Sequence, residues 1–261
     1  MSLKNTVKQI FHNNTSFENA QQAIYLANSL DALSVDLYTD PMRFLFELIQ
    51  NSDDAYKDHP IKNPLLRIAV IDQSYLIVAN YGKGFDEHDV RGVCGVGCGT
   101  KRHDQEKTGY KGLGFKSVFG QSNYVLIASK GDYFRFETGA KEFRWNSKWG
   151  PDRSTWEASN EQKFEYPWQI CPIWTEKTEL PKPIQQWLFS QPEVVACIIR
   201  VDNISEIKKS LKTLINQAHV FMFLRRIRDI RISIDSSTET VLRVTQLRDK
   251  SVKICDGDWS N

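Results

Sequence analysis

The sequence lacks any long apolar run. No stretch of its 261 residues approaches the roughly 20 apolar residues of a membrane-spanning helix, and residues 1–11 contain no signal-peptide core. The charges nearly cancel, with 34 basic against 32 acidic residues, so no global charge favours nucleic acid or a membrane surface. Cysteine is scarce, and five scattered residues favour reduced thiols over a disulfide framework. These absences predict a cytoplasmic protein that does not contact a membrane.

The composition is otherwise that of an ordinary globular protein. Hydrophobic residues make up 41% of the chain and charged residues 25%, which supplies a core for one large or two small domains. No internal repeat or low-complexity tract is present. Cys94 and Cys98 lie in a glycine-rich stretch near His103, but their spacing matches no usual zinc finger. We therefore expect no metal bound by cysteine.

One helix carries an unusual polar stripe. Asp40 can cap this helix, and Pro41 suits its first position. At about 100° per residue, Glu47, Asn51 and Asp54 share one face, while the apolar residues of the helix point elsewhere. Polar groups on a packed helix need partners, and a bound nucleotide with a metal ion would supply them. A stripe that simply faces water is the alternative.

Periodicity and turn residues predict the other elements. Helices are expected at 16–33 and 205–217, and the central helix ends near residue 56. Two hairpins are expected, at 65–71 with 75–79 and at 124–129 with 133–137, and other extended segments at about 168–174, 194–201, 220–224, 230–234, 241–244 and 252–254. The polar stretch 85–107 is long for a connection, which is typical of a lid or binding loop.

Two glycine clusters stand where the backbone could approach a ligand. Gly82 and Gly84 follow Asn80 at a strand end, where the chain must turn sharply or pass close to another group. The second cluster opens a predicted helix, whose free amides favour an anion, and consists of Gly109, Gly112 and Gly114. Each cluster alone could be a tight turn. The second cluster does not match a P-loop, because Lys116 and Ser117 stand one position later than that motif requires. It does not match a dinucleotide-binding fingerprint either, because no predicted strand precedes it.

Taken in order, these elements resemble the GHKL (Bergerat-fold) ATPases. The shared pattern is a glutamate, an asparagine and an aspartate on one helix, a Gly-x-Gly strand end, a long polar stretch, and Gly-x-x-Gly-x-Gly opening a helix. Within that superfamily, the sequence is most similar to the sacsin and no-vein branch. Three segments carry this similarity: Glu47-Leu48-Ile49-Gln50-Asn51-Ser52-Asp53-Asp54-Ala55, Gly109-Tyr110-Lys111-Gly112-Leu113-Gly114-Phe115-Lys116-Ser117-Val118-Phe119, and Phe223-Leu224-Arg225-Arg226-Ile227. The resemblance is strong over residues 35–130 and weak elsewhere.

The resemblance implies a fold and a division of the chain. The implied fold is a two-layer α/β sandwich, with helices on one face of a mixed, mostly antiparallel sheet. Residues 1–34 would form an N-terminal helical segment and residues 35–235 the ATP-binding domain. Residues 236–261 would be a C-terminal extension or the start of a following domain.

The resemblance also implies roles for individual residues. Glu47 would be the general base that activates water, and Asn51 would hold Mg²⁺, which bridges the phosphates of ATP. Asp54 and Ala55 would border the ribose and adenine. The remaining implied nucleotide contacts are Asn80, Gly82, Gly84 and Phe85 near the purine, and Thr100, Lys101, Gly109, Lys111, Gly112, Leu113, Gly114 and Phe115 near the phosphates.

Asn80 departs from the pattern, because most of the superfamily has aspartate there to accept a hydrogen bond from adenine. An asparagine carbonyl accepts the same bond without charge, at a cost of about 1 kcal/mol, so we expect adenine binding to survive. In several relatives a lysine or arginine from the next domain contacts the terminal phosphate, and this chain ends soon after the predicted domain. We therefore expect slow hydrolysis.

The leading interpretation is an ATP-driven module whose lid, residues 85–108, changes the shape or self-association of a larger protein. That larger protein would be chaperone-like, as in the sacsin branch, or would control an attached or neighbouring nuclease in phage defence, and the sequence does not distinguish these. Alternatives are a non-catalytic ATP-sensing scaffold, motivated by Asn80, and a histidine kinase, which His12 supports poorly because no acidic neighbour precedes or follows it. Direct nucleic-acid binding is disfavoured, because the basic run Arg225, Arg226, Arg228 and Arg231 is typical of a solvated face.

Overall fold

One mixed sheet forms the centre of the molecule. The computed structural model describes residues 2–36, 42–57, 59–95, 114–235, 238–246 and 252–256. Within these ranges the strands are β1 Leu65–Ile71, β2 Tyr75–Asn80, β3 Tyr124–Ser129, β4 Asp132–Glu137, β5 Ile173–Trp174, β6 Val195–Arg200, β7 Asp229–Asp235, β8 Thr238–Gln246 and β9 Val252–Asp256. They pair in the order β5-β4-β3-β6-β2-β1-β7-β8-β9. Only β1 and β7 pair in parallel, so the predicted mixed, mostly antiparallel sheet is confirmed.

Helices cover the sheet. The α-helices of the described ranges are α1 Leu3–Thr15, α2 Ala20–Asp36, α3 Arg43–Asp54, α4 Glu87–Cys94, α5 Arg153–Asn160, α6 Lys182–Phe189 and α7 Ile204–Asn216. Alternation along β2 separates two faces, because Leu76 and Val78 join the main core with α1, α2, α3 and α7, whereas Ile77 packs in a smaller cluster with Ile184 of α6. The two-layer α/β sandwich is confirmed. None of the described helices is long and apolar enough to cross a bilayer.

Both predicted hairpins are confirmed, and their turns have the expected backbone. Asp72 and Gln73 have φ angles of 51° and 50° between β1 and β2, and Lys130 and Gly131 have φ angles of 50° and 96° between β3 and β4. Such left-handed residues match the turn to the twist of the strands that it joins.

The stretch predicted as a loop from residue 85 begins with helix α4, so that part of the prediction is wrong. Asp86 caps the helix by accepting from the amide of Asp89 at 2.9 Å, and the Asp89 carboxylate accepts from the Asp86 amide at 3.1 Å. Although burial acts to raise it, hydrogen bonds from Lys83 and from the Asp89 amide lower the pKa of Asp86 to about 2. Because the segment is largely polar, it shows no clear apolar periodicity, and this capping box was not predicted from the sequence.

Several other boundaries differ from the sequence predictions. Helix α2 begins at Ala20, and α3 begins at Arg43 with Met42 before it, whereas Asp40 and Pro41 lie outside the described residues. Residues 220–223 of the segment predicted as extended at 220–224 are not extended, because Ala218–Phe223 form a 3-10 helix. The strand predicted at 168–174 is confined to β5 and follows a short 3-10 turn. Helices α5 and α6 were not predicted, since tryptophan and proline obscure the periodicity there.

Candidate functional site

The carboxylate of Glu47 lies against the backbone of Gly114. A Cβ atom on residue 114 would overlap the Oε2 and Cδ atoms of Glu47, so a side chain cannot be placed there without moving the carboxylate. Glu47 is half-buried, and among the described residues its carboxylate has no hydrogen-bond or ion-pair partner. Glu47, the first residue of the predicted stripe, and the last glycine of the second cluster are therefore brought together.

The first glycine cluster lies at the other end of α3. A Cβ on Gly82 would lie 2.6 Å from the carbonyl oxygen of Ala55, and the amide of Lys83 donates to that same oxygen at 2.9 Å. Asn80 is buried, and its Oδ1 accepts from the amide of Gly82 at 2.9 Å. The side chain of Asn80 thus stabilises the turn. Its Oδ1 can accept one further hydrogen bond through its second lone pair.

Gly84 and Phe85 anchor this turn to the β3–β4 hairpin. The amide of Phe85 donates to the Ser129 hydroxyl at 2.8 Å, and a Cβ on Gly84 would lie 3.2 Å from the same oxygen. The ring of Phe85 packs edge-on against Phe134, with 5.8 Å between centroids. The side chain of Phe85 is therefore directed into the core.

Asp53 was not among the predicted site residues, yet it organises the end of α3. Its buried carboxylate accepts from three consecutive backbone amides: Arg225 at 3.1 Å, Arg226 at 2.8 Å and Ile227 at 2.8 Å. Three such bonds satisfy an otherwise costly buried charge. The only signal in the sequence was the run 223–227, which carried resemblance but no stated role.

The basic run is not uniformly a solvated face, so that prediction is wrong for Arg226. Arg226 is only 21% exposed, and its Nη1 lies 3.6 Å from Asp53 Oδ2 and 3.8 Å from Asp54 Oδ1. Arg228 donates to two backbone carbonyls, and Arg231 lies 3.6 Å from Glu239. Asp54 therefore borders Arg226 at the end of the predicted stripe.

A 3-10 helix, Gly114–Gly120, follows the second glycine cluster and packs against α2 and α3. Phe115 is half-buried and contacts Phe119 edge-on at 5.6 Å between centroids. Lys116 is buried instead of facing an anion, and burial lowers its pKa to about 8. Because the partners of Lys116 lie on other segments of the chain, its burial leaves no local pattern in the sequence.

Part of the predicted site lies outside the described residues. This applies to Thr100, Lys101, Gly109, Lys111, Gly112 and Leu113. Asn51, the predicted magnesium ligand, is half-buried on α3 one turn after Glu47. In the part of the chain that the structure describes, no group of three or more His, Cys, Asp or Glu side chains could hold a metal by itself. An ion at Asn51 would need phosphate or water oxygens to complete its ligands.

A separate cleft lies away from this site. It has a volume of about 590 Å³ and runs between the end of α1 and the segment 142–148, where Phe17, Arg144 and Lys148 are among its lining residues. His12 also lines it and is exposed in the last turn of α1. The cleft does not include any residue of the predicted nucleotide site.

Comparison with known proteins finds similarity over part of the chain. The chain is 36% identical to Protein NO VEIN of Arabidopsis thaliana over 118 residues, which is 45% of this chain and 4% of that protein. It is 36% identical to sacsin of Homo sapiens over 96 residues, which is 33% of this chain and 2% of sacsin. No protein-family model matches. The similarity supports the resemblance to the sacsin and no-vein branch, while the matched segments are small parts of those long proteins.

The close approach at Gly82 leads to a stability prediction. Gly82→Ala should lower the free energy of unfolding by about 1–3 kcal/mol, because the added Cβ meets backbone atoms of Ala55 that cannot move aside alone. Gly84→Ala is the matched control, since its Cβ would meet only side-chain atoms of Ser129 and Lys130. Urea denaturation of both variants measures the difference, and equal losses would contradict this account of the turn.

Proposed function

We propose that this chain is a Mg-ATP-binding module of the GHKL type that hydrolyses ATP slowly. The observation that supports the proposal best is the position of Glu47, whose uncommitted carboxylate lies against Gly114. The other end of the same helix contacts Gly82 through Ala55. One helix thus carries an acid beside one segment of glycine backbone and ends against another, and Asn51 lies on it one turn after Glu47, as we expect for an ATP site of this type.

The residues present fit such a site chemically. Because residue 114 carries no side chain, its backbone lies directly beside the Glu47 carboxylate, so a phosphate chain bound along this backbone would lie next to the candidate base. Asn51 would be the protein ligand of Mg²⁺, which would supply neutralisation of the phosphate charge when bound. Glu47 would accept a proton from the attacking water at its carboxylate, and the half-buried surroundings would limit competing solvent.

Calorimetry with ATP and ADP, with and without Mg²⁺, tests binding directly. The wild type should bind ATP more tightly with Mg²⁺ than without it. Asn51→Ala should weaken binding in the presence of Mg²⁺ by at least about tenfold and have little effect in its absence. Asn63→Ala, in an exposed loop, is the matched control. An absence of nucleotide binding by the wild type would contradict the proposal.

The partial similarity to NO VEIN and sacsin supports a further element of the proposal. In both proteins the matched segment is a small part of a long chain, which fits a module whose nucleotide state changes the conformation or association of a larger protein. Sedimentation and crosslinking with and without ATP measure such a change.

A non-catalytic ATP-sensing scaffold is the second candidate. The observation that favours it is Asn80, whose neutral side chain already accepts a backbone amide at 2.9 Å. A scaffold and a slow enzyme would bind ATP alike but differ in turnover, so the distinction depends on Glu47.

A further inference from the structure

Lys116 is a buried cation without an acidic partner. It is 1% exposed, and among the described residues no carboxylate pairs with it. Its Nζ donates to the carbonyl oxygen of Val93 at 2.6 Å and to that of Gln169 at 3.1 Å, and it lies 5.2 Å from the centre of the Phe119 ring. A methionine would fill a similar volume without the desolvation cost of a charge. The presence of a buried lysine therefore indicates a role for its two hydrogen bonds to carbonyl groups.

The contact with Val93 is made at the end of α4. Val93 lies in the last turn of this helix, where the carbonyls have no partner within the helix. A cation placed there satisfies one of them and opposes the negative end of the helix dipole. Lys116 therefore caps α4 from a different segment of the chain.

The contact with Gln169 adds a third segment. Gln169 is buried on the short 3-10 turn Trp168–Ile170, and its side-chain amide donates to Asp31 of α2. Lys116 itself lies two residues after Gly114, whose backbone faces the Glu47 carboxylate. One ammonium group thus joins α4 and the 168–170 turn to the helix that begins beside the candidate base.

We propose that Lys116 is a positioning residue that couples nucleotide binding at Gly114 to the end of helix α4. The proposal rests on the proposed ATP site and goes beyond it, because Lys116 would not touch the nucleotide. When a phosphate chain settles against Gly114, the 114–120 helix is held in place. The ammonium group then holds the Val93 carbonyl and the last turn of α4.

Hydrogen exchange with and without Mg-ATP tests this coupling on the full chain. In the wild type, ATP should slow exchange in both 87–95 and 114–120, by about five- to tenfold, the change expected when one helix cap is stabilised. In Lys116→Met the effect of ATP on 87–95 should disappear, while its effect on 114–120 persists. Lys116→Gln, which keeps a neutral donor, should show an intermediate effect and serves if the methionine variant does not fold.

Arg91→Met is the matched control, because Arg91 is an exposed cation on α4 that pairs with Glu87 at 2.8 Å and is not bonded to the 114–120 helix. Its response to ATP should match that of the wild type. If ATP binds but 87–95 responds equally in the wild type and in both Lys116 variants, or does not respond in the wild type, the coupling is refuted while the ATP site stands. If calorimetry shows no ATP binding to the wild type, both proposals fail together.

Discussion

Glu47→Gln should lower ATP turnover by about 10²–10⁴-fold while leaving ATP affinity nearly unchanged. Glutamine has the same shape, so it should still fit against Gly114. It cannot take the proton of the attacking water, however, and only the chemical step should suffer. Single-turnover hydrolysis combined with calorimetry separates the two effects.

Glu193→Gln is the control, because Glu193 is an exposed carboxylate. Any contaminating ATPase would appear equally in both preparations. If Glu47→Gln hydrolyses ATP at the wild-type rate, Glu47 is not the general base and the scaffold hypothesis gains support. A wild-type turnover above about 1 s⁻¹, in the range of efficient kinases, would contradict the expectation of slow hydrolysis.

Asp53→Ala should lower the free energy of unfolding by about 3–5 kcal/mol. The substitution leaves three consecutive backbone amides without their acceptor, of which the Ile227 amide is buried, and it removes the nearer carboxylate from Arg226. Asp53→Asn should cost less, since one oxygen remains to accept from the amides of Arg226 and Ile227. Urea denaturation followed by tryptophan fluorescence measures the loss.

Asp202→Ala is the control for this prediction, because Asp202 is exposed and its loss should change stability by less than about 0.5 kcal/mol. A double-mutant cycle of Asp53→Ala with Arg226→Ala would show how much of the loss belongs to the ion pair and how much to the amides. A loss below about 1 kcal/mol for Asp53→Ala would mean that the three hydrogen bonds contribute little.

The sequence was informative where a signal is local. Short runs rich in apolar and β-branched residues, separated by turn residues, located both hairpins. The spacing of Glu47, Asn51 and Asp54 identified the helix whose Glu47 lies beside Gly114. Helix spacing and glycine clusters are read within a few residues, so no tertiary knowledge was needed. That the helix and the glycine clusters belong to one site, by contrast, was predicted only from the family resemblance.

The remaining features depend on contacts that leave no local pattern. Asp53 meets the amide of Ile227 across 174 positions, and Lys116 meets the Gln169 carbonyl across 53. In both cases the partner is a backbone atom, which every residue possesses, so no residue type reveals it. The roles of Asp53 and Lys116 could therefore be assigned only from the fold.

The hydrogen bonds between Asp53 and the amides of residues 225–227 have a consequence for folding during synthesis. Strand β1 gains its parallel neighbour only from β7, through pairs such as Leu66 with Ile230. A nascent chain on the ribosome has therefore exposed α3 and β1 long before the segments that complete them are translated. In a chain stalled before residue 225, we expect the carboxylate of Asp53 to stay exposed to water and β1 to lack its neighbour β7. Such a chain would expose an unpaired strand edge and should therefore bind chaperones.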